Sequence, residues 1–162
     1  MKIADHILQK IYTPEQLVQQ AAKWRLLNNK IAFTNGVFDI LHQGHIFSLS
    51  QAAKEADYLI VGLNADASVK RLKGDSRPVN NQESRAIVLA SLLMVDAVVL
   101  FEEDTPLEII KALMPDVLIK GGDYAAEQIA GATEVIAHGG RVVINPLLNG
   151  FSTTSIIEKF KK

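Results

Sequence analysis

Two histidines separated by a glycine are the residues of this chain best suited to chemistry. His42, Gly44 and His45 follow the first strongly apolar run, where a helix is expected to begin. The start of a helix offers unpaired backbone N–H groups and the positive end of its dipole, and both attract anions. The glycine allows a ligand to approach closely, and the imidazoles add hydrogen-bond donors. This pattern favours a site for a polyphosphate.

Two other interpretations of the histidines remain open from their spacing alone. The rings could be structural, or they could form a metal pair. A metal pair needs a third ligand, and because the chain has no cysteine this ligand would be a carboxylate or a distant histidine. The sequence has neither a P-loop motif nor the glycine-rich dinucleotide motif after a strand. Phosphate binding would therefore depend on the helix start and the histidines.

Short apolar runs alternate with helical segments and predict the framework around the histidines. Nearly every residue of these runs is apolar, which is typical of parallel strands covered on both faces. The pattern predicts an α/β domain with a Rossmann-like, doubly wound, parallel five-stranded sheet. In such a sheet, ligands bind beyond the carboxyl ends of the strands. The predicted strands are residues 31–34, 58–63, 97–101, 117–119 and 141–144.

Helix start signals are clearest at two places. Residues 13–16 read Thr-Pro-Glu-Gln, a capping signature ahead of a helix over 17–27, and Thr105-Pro106 repeats it before a helix over 109–113. The charged segment 69–78, which contains a glycine, is expected to be a loop. The chain is predicted to be one domain over 1–162, with 1–29 as a helical extension packed on it. The other predicted helices cover 46–56, 82–94, about 126–139, and a last one that opens at 152–154.

Composition narrows the class of protein. The chain carries 17 Lys and Arg against 18 Asp and Glu, a formal net charge of -1, which argues against a nucleic-acid binder. The amino terminus lacks the apolar run of a secretory signal, and the longest apolar stretch is too short to span a bilayer. We therefore expect a soluble cytoplasmic protein whose partners are neither nucleic acids nor membranes.

The segment after the first predicted strand reads G-x-F-D-x-x-H-x-G-H, which resembles the nucleotidyltransferase superfamily. The wider sequence is similar to the heptose-1-phosphate adenylyltransferase family, in its stand-alone form or as the C-terminal half of a bifunctional kinase–adenylyltransferase. The stretches that carry this similarity are 33–42, 62–78, 101–106, 120–124 and 152–154.

The resemblance implies an enzyme that transfers AMP from ATP to D-glycero-D-manno-heptose 1-phosphate, giving ADP-heptose, a lipopolysaccharide precursor, and pyrophosphate. It implies Mg²⁺ as cofactor and a homodimer. His42 would act near the α-phosphate and His45 near the β- and γ-phosphates. Lys73, or as second choice Lys70, would stabilise the developing charge.

The resemblance also assigns binding residues. Those expected to bind the nucleotide are Thr34, Asn35, Gly36, Val37, Phe38, Asp39, Gly44, Lys120, Gly121, Gly122, Asp123, Ser152, Thr153 and Thr154. Those expected to bind the second substrate are Asn64, Asp66, Lys70, Arg77 and Arg85. Asp39 and Asp66 are both candidates for orienting a metal-bound water, and no residue is assigned as a direct ligand of the metal.

Two other functions are weighed against this one. The first keeps the chemistry but uses CTP with glycerol 3-phosphate. Cytidylyltransferases commonly carry an arginine shortly before the hydroxyl triplet, whereas residues 145–150 contain no cation. The second is a nucleotide-binding regulatory module without catalysis, against which the two histidines, Lys73 and the hydroxyl triplet argue.

Overall fold

The computed structural model describes residues 5–122, 125, 128–148 and 150–160. Helices and strands alternate along this part of the chain, as the apolar runs predict. The helices are α1 (His6–Gln9), α2 (Pro14–Leu26), α3 (Gln43–Ala52), α4 (Asp66–Lys73), α5 (Gln82–Ala90), α6 (Leu107–Leu113), α7 (Ala132–Ala137) and α8 (Thr153–Phe160). The strands are β1 (Ile11–Tyr12), β2 (Ile31–Gly36), β3 (Tyr58–Asn64), β4 (Ala97–Phe101), β5 (Val117–Gly121) and β6 (Arg141–Asn145).

The strands of the described residues form one parallel sheet of six, in the order β1-β4-β3-β2-β5-β6. From β2 the chain adds β3 and β4 on one side, then returns to place β5 on the other side of β2. The strand order therefore reverses between β2 and β5, the switch point at which parallel α/β sheets bind ligands. The five predicted strands and the doubly wound class are confirmed. The sixth strand, β1, has only two residues and no apolar run to reveal it.

Alternate residues of the central strands enter two separate cores, because successive side chains of a strand point to opposite faces. Phe33 and Ile60 pack with α2, α6 and α7 on one face. Ala32 and Val61 pack with α3 and α5 on the other. Burial on both faces explains why the strands are apolar without alternation. No described helix combines the length and apolar character that crossing a bilayer requires.

The two capping signatures have different outcomes. The Thr13 hydroxyl accepts from the Gln16 N–H, and the Gln16 side chain accepts from the Thr13 N–H, so α2 begins with the predicted capping box. In α6 the N-cap is Pro106, and no side chain caps the helix. Thr105 lies one residue too early to act as the cap, so this part of the prediction is wrong.

The charged segment predicted as a loop over 69–78 is helical in its first half. α4 includes Lys70 and Lys73 in its last turn and is followed by the C-cap Gly74, whose φ of 91° is readily adopted by glycine. Only Ser68 and Val69 of this helix are buried, and its second half is mostly charged, so the segment offers few apolar residues by which a helix is recognised. Other boundaries differ as well: α3 begins at Gln43 rather than 46, α5 ends at Ala90 rather than 94, and α7 begins at Ala132.

The amino-terminal segment docks on the sheet through α2. Leu17, Ala21 and Trp24 are buried in the core shared with α6 and α7, and Trp24 stacks on Tyr58 with ring centroids 4.1 Å apart. Arg25 Nη2 donates to the carbonyls of Leu113 (2.6 Å) and Met114 (2.8 Å) at the end of α6. A cation at a helix C-terminus satisfies carbonyls that have no partner within the helix.

We expect Arg25→Ala to lower the free energy of unfolding by about 1.5–3 kcal/mol, the range for hydrogen bonds to a charged group. Lys23→Ala, an exposed change on the same helix, serves as the control and should cost about 0.5 kcal/mol or less. Urea denaturation of both variants measures the difference. Equal stabilities would show that the Arg25 contacts do not hold α2 to α6.

Candidate functional site

A cleft of about 480 Å³ lies at the carboxyl ends of β2 and β5, where the strand order reverses. Its walls come from the end of β2 and the start of α3, from the end of β5, and from the segment that leads into α8. The lining residues are Thr34, Asn35, Gly36, Val37, Phe38, His42, Gly44, His45, Ser48, Leu49, Lys120, Gly121, Leu147, Leu148, Phe151, Ser152 and Thr153.

The start of α3 forms the polar wall of the cleft. His42 is the N-cap in an extended conformation, and its side chain makes no capping hydrogen bond. The first N–H groups of a helix have no carbonyl one turn earlier, so an anion can take that place. A Cβ on Gly44 would lie 3.1 Å from His42 Cε1 and 3.0 Å from Phe151 Cβ. Glycine therefore lets the His42 ring and Phe151 pack over the helix start.

The two histidine rings stack on each other, with centroids 3.9 Å apart and planes at 22°. The Nδ1 atoms of His42 and His45 are buried and have no hydrogen-bond partner in the described part of the chain. Phe38, in the left-handed region at φ 45°, contacts the edge of the His45 ring. Buried polar atoms are nearly always satisfied in folded proteins. Two such atoms on neighbouring rings make the start of α3 the candidate binding site of the cleft.

The surroundings keep both imidazoles neutral near pH 7. Burial lowers the pKa of His42. Burial, and after it the charge of a protonated His42, lowers the pKa of His45 to about 4. A bound polyanion would oppose both effects, because a negative charge favours the protonated imidazole.

Lys120 and Asn35 join the ends of two neighbouring strands. Lys120 Nζ donates to Asn35 Oδ1 across 3.4 Å. Burial lowers the pKa of Lys120, because the ammonium group loses hydration. The described lining residues of the cleft include no carboxylate.

The start of α8 lines the cleft next to the start of α3. The Ser152 hydroxyl accepts from the Ser155 N–H at 3.4 Å, and Thr153 Oγ1 donates to the Ile40 carbonyl at 3.5 Å. The first bond caps the helix, and the second ties its start to the loop between β2 and α3. Phe151 lies over His42, with ring centroids 6.1 Å apart.

Asp39 connects the loop between β2 and α3 to the segment between α4 and α5. Its fully buried carboxylate accepts from Arg77 Nε (2.5 Å), the Val79 N–H (2.8 Å) and the Asn80 N–H (3.0 Å). Burial alone would raise the pKa of Asp39, but these hydrogen bonds and the Arg77 charge hold it below its usual value. Asp39 therefore remains charged without lining the cleft.

Arg85 connects the same loop to the ends of two other elements. Its Nη1 donates to the carbonyls of Val37 (2.7 Å) and Asn64 (2.9 Å), its Nε to that of Asn80 (3.0 Å), and its Nη2 to the Asp66 carboxylate (2.6 Å). The side chain is 1% exposed. Most of its five N–H donors are thus engaged by the protein itself.

The predicted site residues divide into three groups. The cleft brings together Thr34, Asn35, Gly36, Val37, Phe38, His42, Gly44, His45, Lys120, Gly121, Ser152 and Thr153. The residues that do not line it are Asp39, Asn64, Asp66, Lys70, Lys73, Arg77, Arg85, Gly122 and Thr154. Asp123 lies outside the described residues.

Sequence reasoning missed several lining residues. Ser48 lies three residues after His45 on α3, so helical periodicity could have placed it on the same face. Leu147, Leu148 and Phe151 reach the cleft from the segment between β6 and α8. No periodicity in that segment indicates which side chains face inward.

The described residues do not form a cage for a divalent cation. They contain no group of three His, Cys, Asp or Glu side chains able to hold a metal. The histidine pair thus has no third ligand among them. Mg²⁺ prefers oxygen ligands and usually keeps waters and substrate phosphates around it. A magnesium ion would be held there mainly by the ligand's own phosphates.

The chain is similar in sequence to a known family and to curated relatives. A family model described as cytidylyltransferase-like matches residues 33–159. Bifunctional protein HldE of Hyphomonas neptunium is 55% identical over 90% of this chain and 30% of that protein. The HldE of Acidiphilium cryptum is 50% identical over 99% of the chain and 33% of that protein. The chain thus spans about a third of the length of these relatives.

Two solved structures are similar in fold. A lipopolysaccharide core biosynthesis protein from Thermoplasma volcanium superposes with a TM-score of 0.59 at 28% identity, covering 74% of this chain and 97% of that one. A pantoate–β-alanine ligase from Francisella tularensis superposes with a TM-score of 0.61 at 16% identity, covering 93% and 76%. The second likeness concerns the fold alone.

The histidine pair predicts a pH response that an anion reverses. We expect NMR titration to give His45 a pKa of about 4, and added inorganic tripolyphosphate to raise the pKa of His42 and His45. Between pH 6.5 and 4 the folded protein binds fewer protons at His45 than the unfolded chain does. The contribution of His45 to the free energy of unfolding therefore falls as the pH falls through that range. The exposed His138 reports non-specific binding. Unchanged pKa values with tripolyphosphate would contradict an anion site here.

Arg85→Gln tests the buried connections beneath the cleft. Because the change leaves Asp66 and three carbonyls without their cationic donor, we expect unfolding free energy to fall by about 3 kcal/mol or more. Arg71→Gln is the control: Arg71 makes an exposed ion pair with Asp104, and its loss should cost about 1 kcal/mol or less. Denaturant unfolding compares the two. Similar small losses would mean that Arg85 does not organise this region.

Proposed function

Because the chain belongs to the cytidylyltransferase-like family, we propose that it transfers AMP from ATP to D-glycero-D-manno-heptose 1-phosphate. The observation that carries the proposal is the stacked pair of His42 and His45 at the start of α3, with a buried unsatisfied nitrogen on each ring. The HldE relatives and the lipopolysaccharide core biosynthesis protein support the heptose substrate. The products are ADP-heptose and pyrophosphate.

The reaction needs no protein nucleophile. An oxygen of the sugar phosphate forms a bond to the α-phosphorus of ATP, and the bond from that phosphorus to the bridging oxygen breaks. Pyrophosphate leaves with the electron pair. Catalysis of such a displacement is mainly in-line positioning and stabilisation of charge on the phosphoryl oxygens.

Donors that line the cleft are proposed to meet both requirements. His42 donates to the α-phosphate and His45 to the β- and γ-phosphates, next to the helix start at Gly44. Ser152 and Thr153 offer hydroxyls from the neighbouring start of α8. Lys120, Gly121 and Gly122, with Asp123, are proposed to flank the base and ribose. Because the described residues offer no cluster of metal ligands, a Mg²⁺ ion would enter with the nucleotide and would offset part of the triphosphate charge.

Lys73, with Lys70 as second choice, is proposed as the cation for the developing charge. Both lysines lie in the exposed last turn of α4, outside the cleft. Arg71 holds this turn to the segment after β4 through Asp104 (2.8 Å) and the Glu102 carbonyl. The end of α4 would therefore have to move toward the bound triphosphate for either lysine to contact it.

The same proposal covers the assembly and its surroundings. The substrates are small molecules, a nucleotide and a sugar phosphate. We propose that the protein acts as a homodimer in the cytoplasm and that Mg²⁺ is the ion required for its activity.

A pyrophosphate-release assay tests the reaction and its alternative together. We expect release with ATP and heptose 1-phosphate, and none with CTP and glycerol 3-phosphate. His42→Ala should lower kcat about 10²- to 10³-fold, the usual effect of removing one donor to transition-state charge. His138→Ala, an exposed histidine after α7, is the matched control and should leave kcat unchanged.

Three results would contradict the proposal. Turnover with CTP and glycerol 3-phosphate alone would favour the cytidylyltransferase reaction. Tight ATP binding without pyrophosphate release would favour a regulatory module. Normal turnover by His42→Ala would remove the histidine pair from the reaction.

A further inference from the structure

A second cavity of about 220 Å³ lies beside the cleft and shares two lining residues with it, Asn35 and Lys120. The side chains of these two residues are joined by the hydrogen bond across the ends of β2 and β5. The lining residues of this second cavity are Asn35, Asp104, Thr105, Pro106, Lys120, Gln128, Ile129 and Ala130.

The two cavities open on opposite faces of the sheet. Ile129, in the second cavity, belongs to the core of α2, α6 and α7, whereas Leu49, in the cleft, belongs to the core of α3 and α5. The carboxyl ends of β2 and β5, with the hydrogen-bonded side chains of Asn35 and Lys120, thus border both cavities.

The lining of the second cavity combines one cation with neutral hydrogen-bonding groups. Lys120 is the only cationic side chain among its described lining residues. Thr105 offers a hydroxyl and Gln128 an amide, while Pro106, Ile129 and Ala130 are apolar. Asp104 is paired with Arg71 at 2.8 Å, which offsets its charge. A small ligand with a phosphate at one end and hydroxyls at the other matches this arrangement.

We propose that the second cavity is the subsite for the acceptor, a sugar 1-phosphate, with its phosphate toward Lys120 and its hydroxyls toward Thr105 and Gln128. This inference rests on the proposed function. An in-line displacement needs the attacking oxygen and the leaving pyrophosphate on opposite sides of the α-phosphorus. With the triphosphate at His42 and His45, an acceptor in the second cavity would approach the α-phosphorus from the side of Asn35 and Lys120.

The residues that the sequence predicts to bind the acceptor are engaged by other groups of the protein, which supports an acceptor site elsewhere. Arg77 and Arg85 direct donors to protein acceptors, and Asp66 accepts from Arg85. Asn64 donates to the Ser68 hydroxyl at 3.0 Å. None of these four residues lines the cleft or the second cavity. Their polar groups stabilise the loops beneath the site.

NMR locates the acceptor without requiring turnover. The 17.7 kDa protein, labelled with ¹⁵N and saturated with α,β-methylene ATP, is titrated with heptose 1-phosphate. We expect the backbone amides of Thr105, Gln128 and Ile129 to shift. Shifts confined to α4 and residues 74–81, or no shifts, would overturn the inference.

Kinetics of two variants tests the subsite independently. Thr105→Val removes the hydroxyl at nearly constant volume, and we expect the KM for heptose 1-phosphate to rise about five- to tenfold, the value of one hydrogen bond, with the KM for ATP unchanged. Ala130→Phe fills the cavity and should raise the same KM further. Thr133→Val, an exposed change on α7 outside both cavities, is the matched control.

The outcomes separate the two proposals. If the unmodified protein releases no pyrophosphate with any sugar phosphate, the proposed function fails, and the NMR shifts alone decide whether the cavity binds a sugar phosphate. If it turns over and Thr105→Val keeps the KM of the unmodified protein for heptose 1-phosphate, the subsite is wrong while the function stands. Thermal unfolding confirms that Ala130→Phe is folded before its KM is interpreted.

Discussion

The parallel pairing of β2 with both β3 and β5 is the constraint on which the site depends. It places the end of β2 at the switch point, with the loop to α3 on one face and the neighbouring end of β5 beside it. Residues that are far apart in the chain, such as Asn35 and Lys120, then lie within hydrogen-bond distance. Because both faces of the sheet are covered, the strand ends are where a ligand can reach polar groups of the central strands.

Buried ionic groups hold the loop after β2 in place. Burying the charges of Asp39 and Arg85 costs desolvation free energy, which hydrogen bonds must offset. Each side chain has several hydrogen-bond partners on the surrounding loops. The polar atoms beneath the cleft are thus satisfied, whereas His42 Nδ1 and His45 Nδ1 within it are not. This contrast distinguishes the charged groups that stabilise the loops from the histidine nitrogens that have no partner in the described part of the chain.

The charge of the described cleft lining comes from one side chain, Lys120. Burial keeps both histidines neutral and lowers the pKa of Lys120, and the described lining has no carboxylate. In the proposed function, a triphosphate with its Mg²⁺ binds against the helix starts and the neutral histidines of the cleft. Preorganised dipoles of this kind stabilise charge without reorganising during the reaction.

The sequence by itself determined the sheet class, five of the strands and the segment around His42, because each depends on local signals: continuous apolar runs, a capping box, and histidines and a glycine at a helix start. Only the tertiary structure decided which charged residues line the cleft. Charged side chains of the kind that bind a phosphorylated substrate occur at Arg77, Arg85, Asp39 and Asp66. Each of them makes hydrogen bonds to protein groups from distant segments of the chain instead. Packing between elements also decides that Lys70 and Lys73 lie in a helix. It likewise forms the cavity around Thr105 and Gln128. Neither composition nor periodicity encodes such packing.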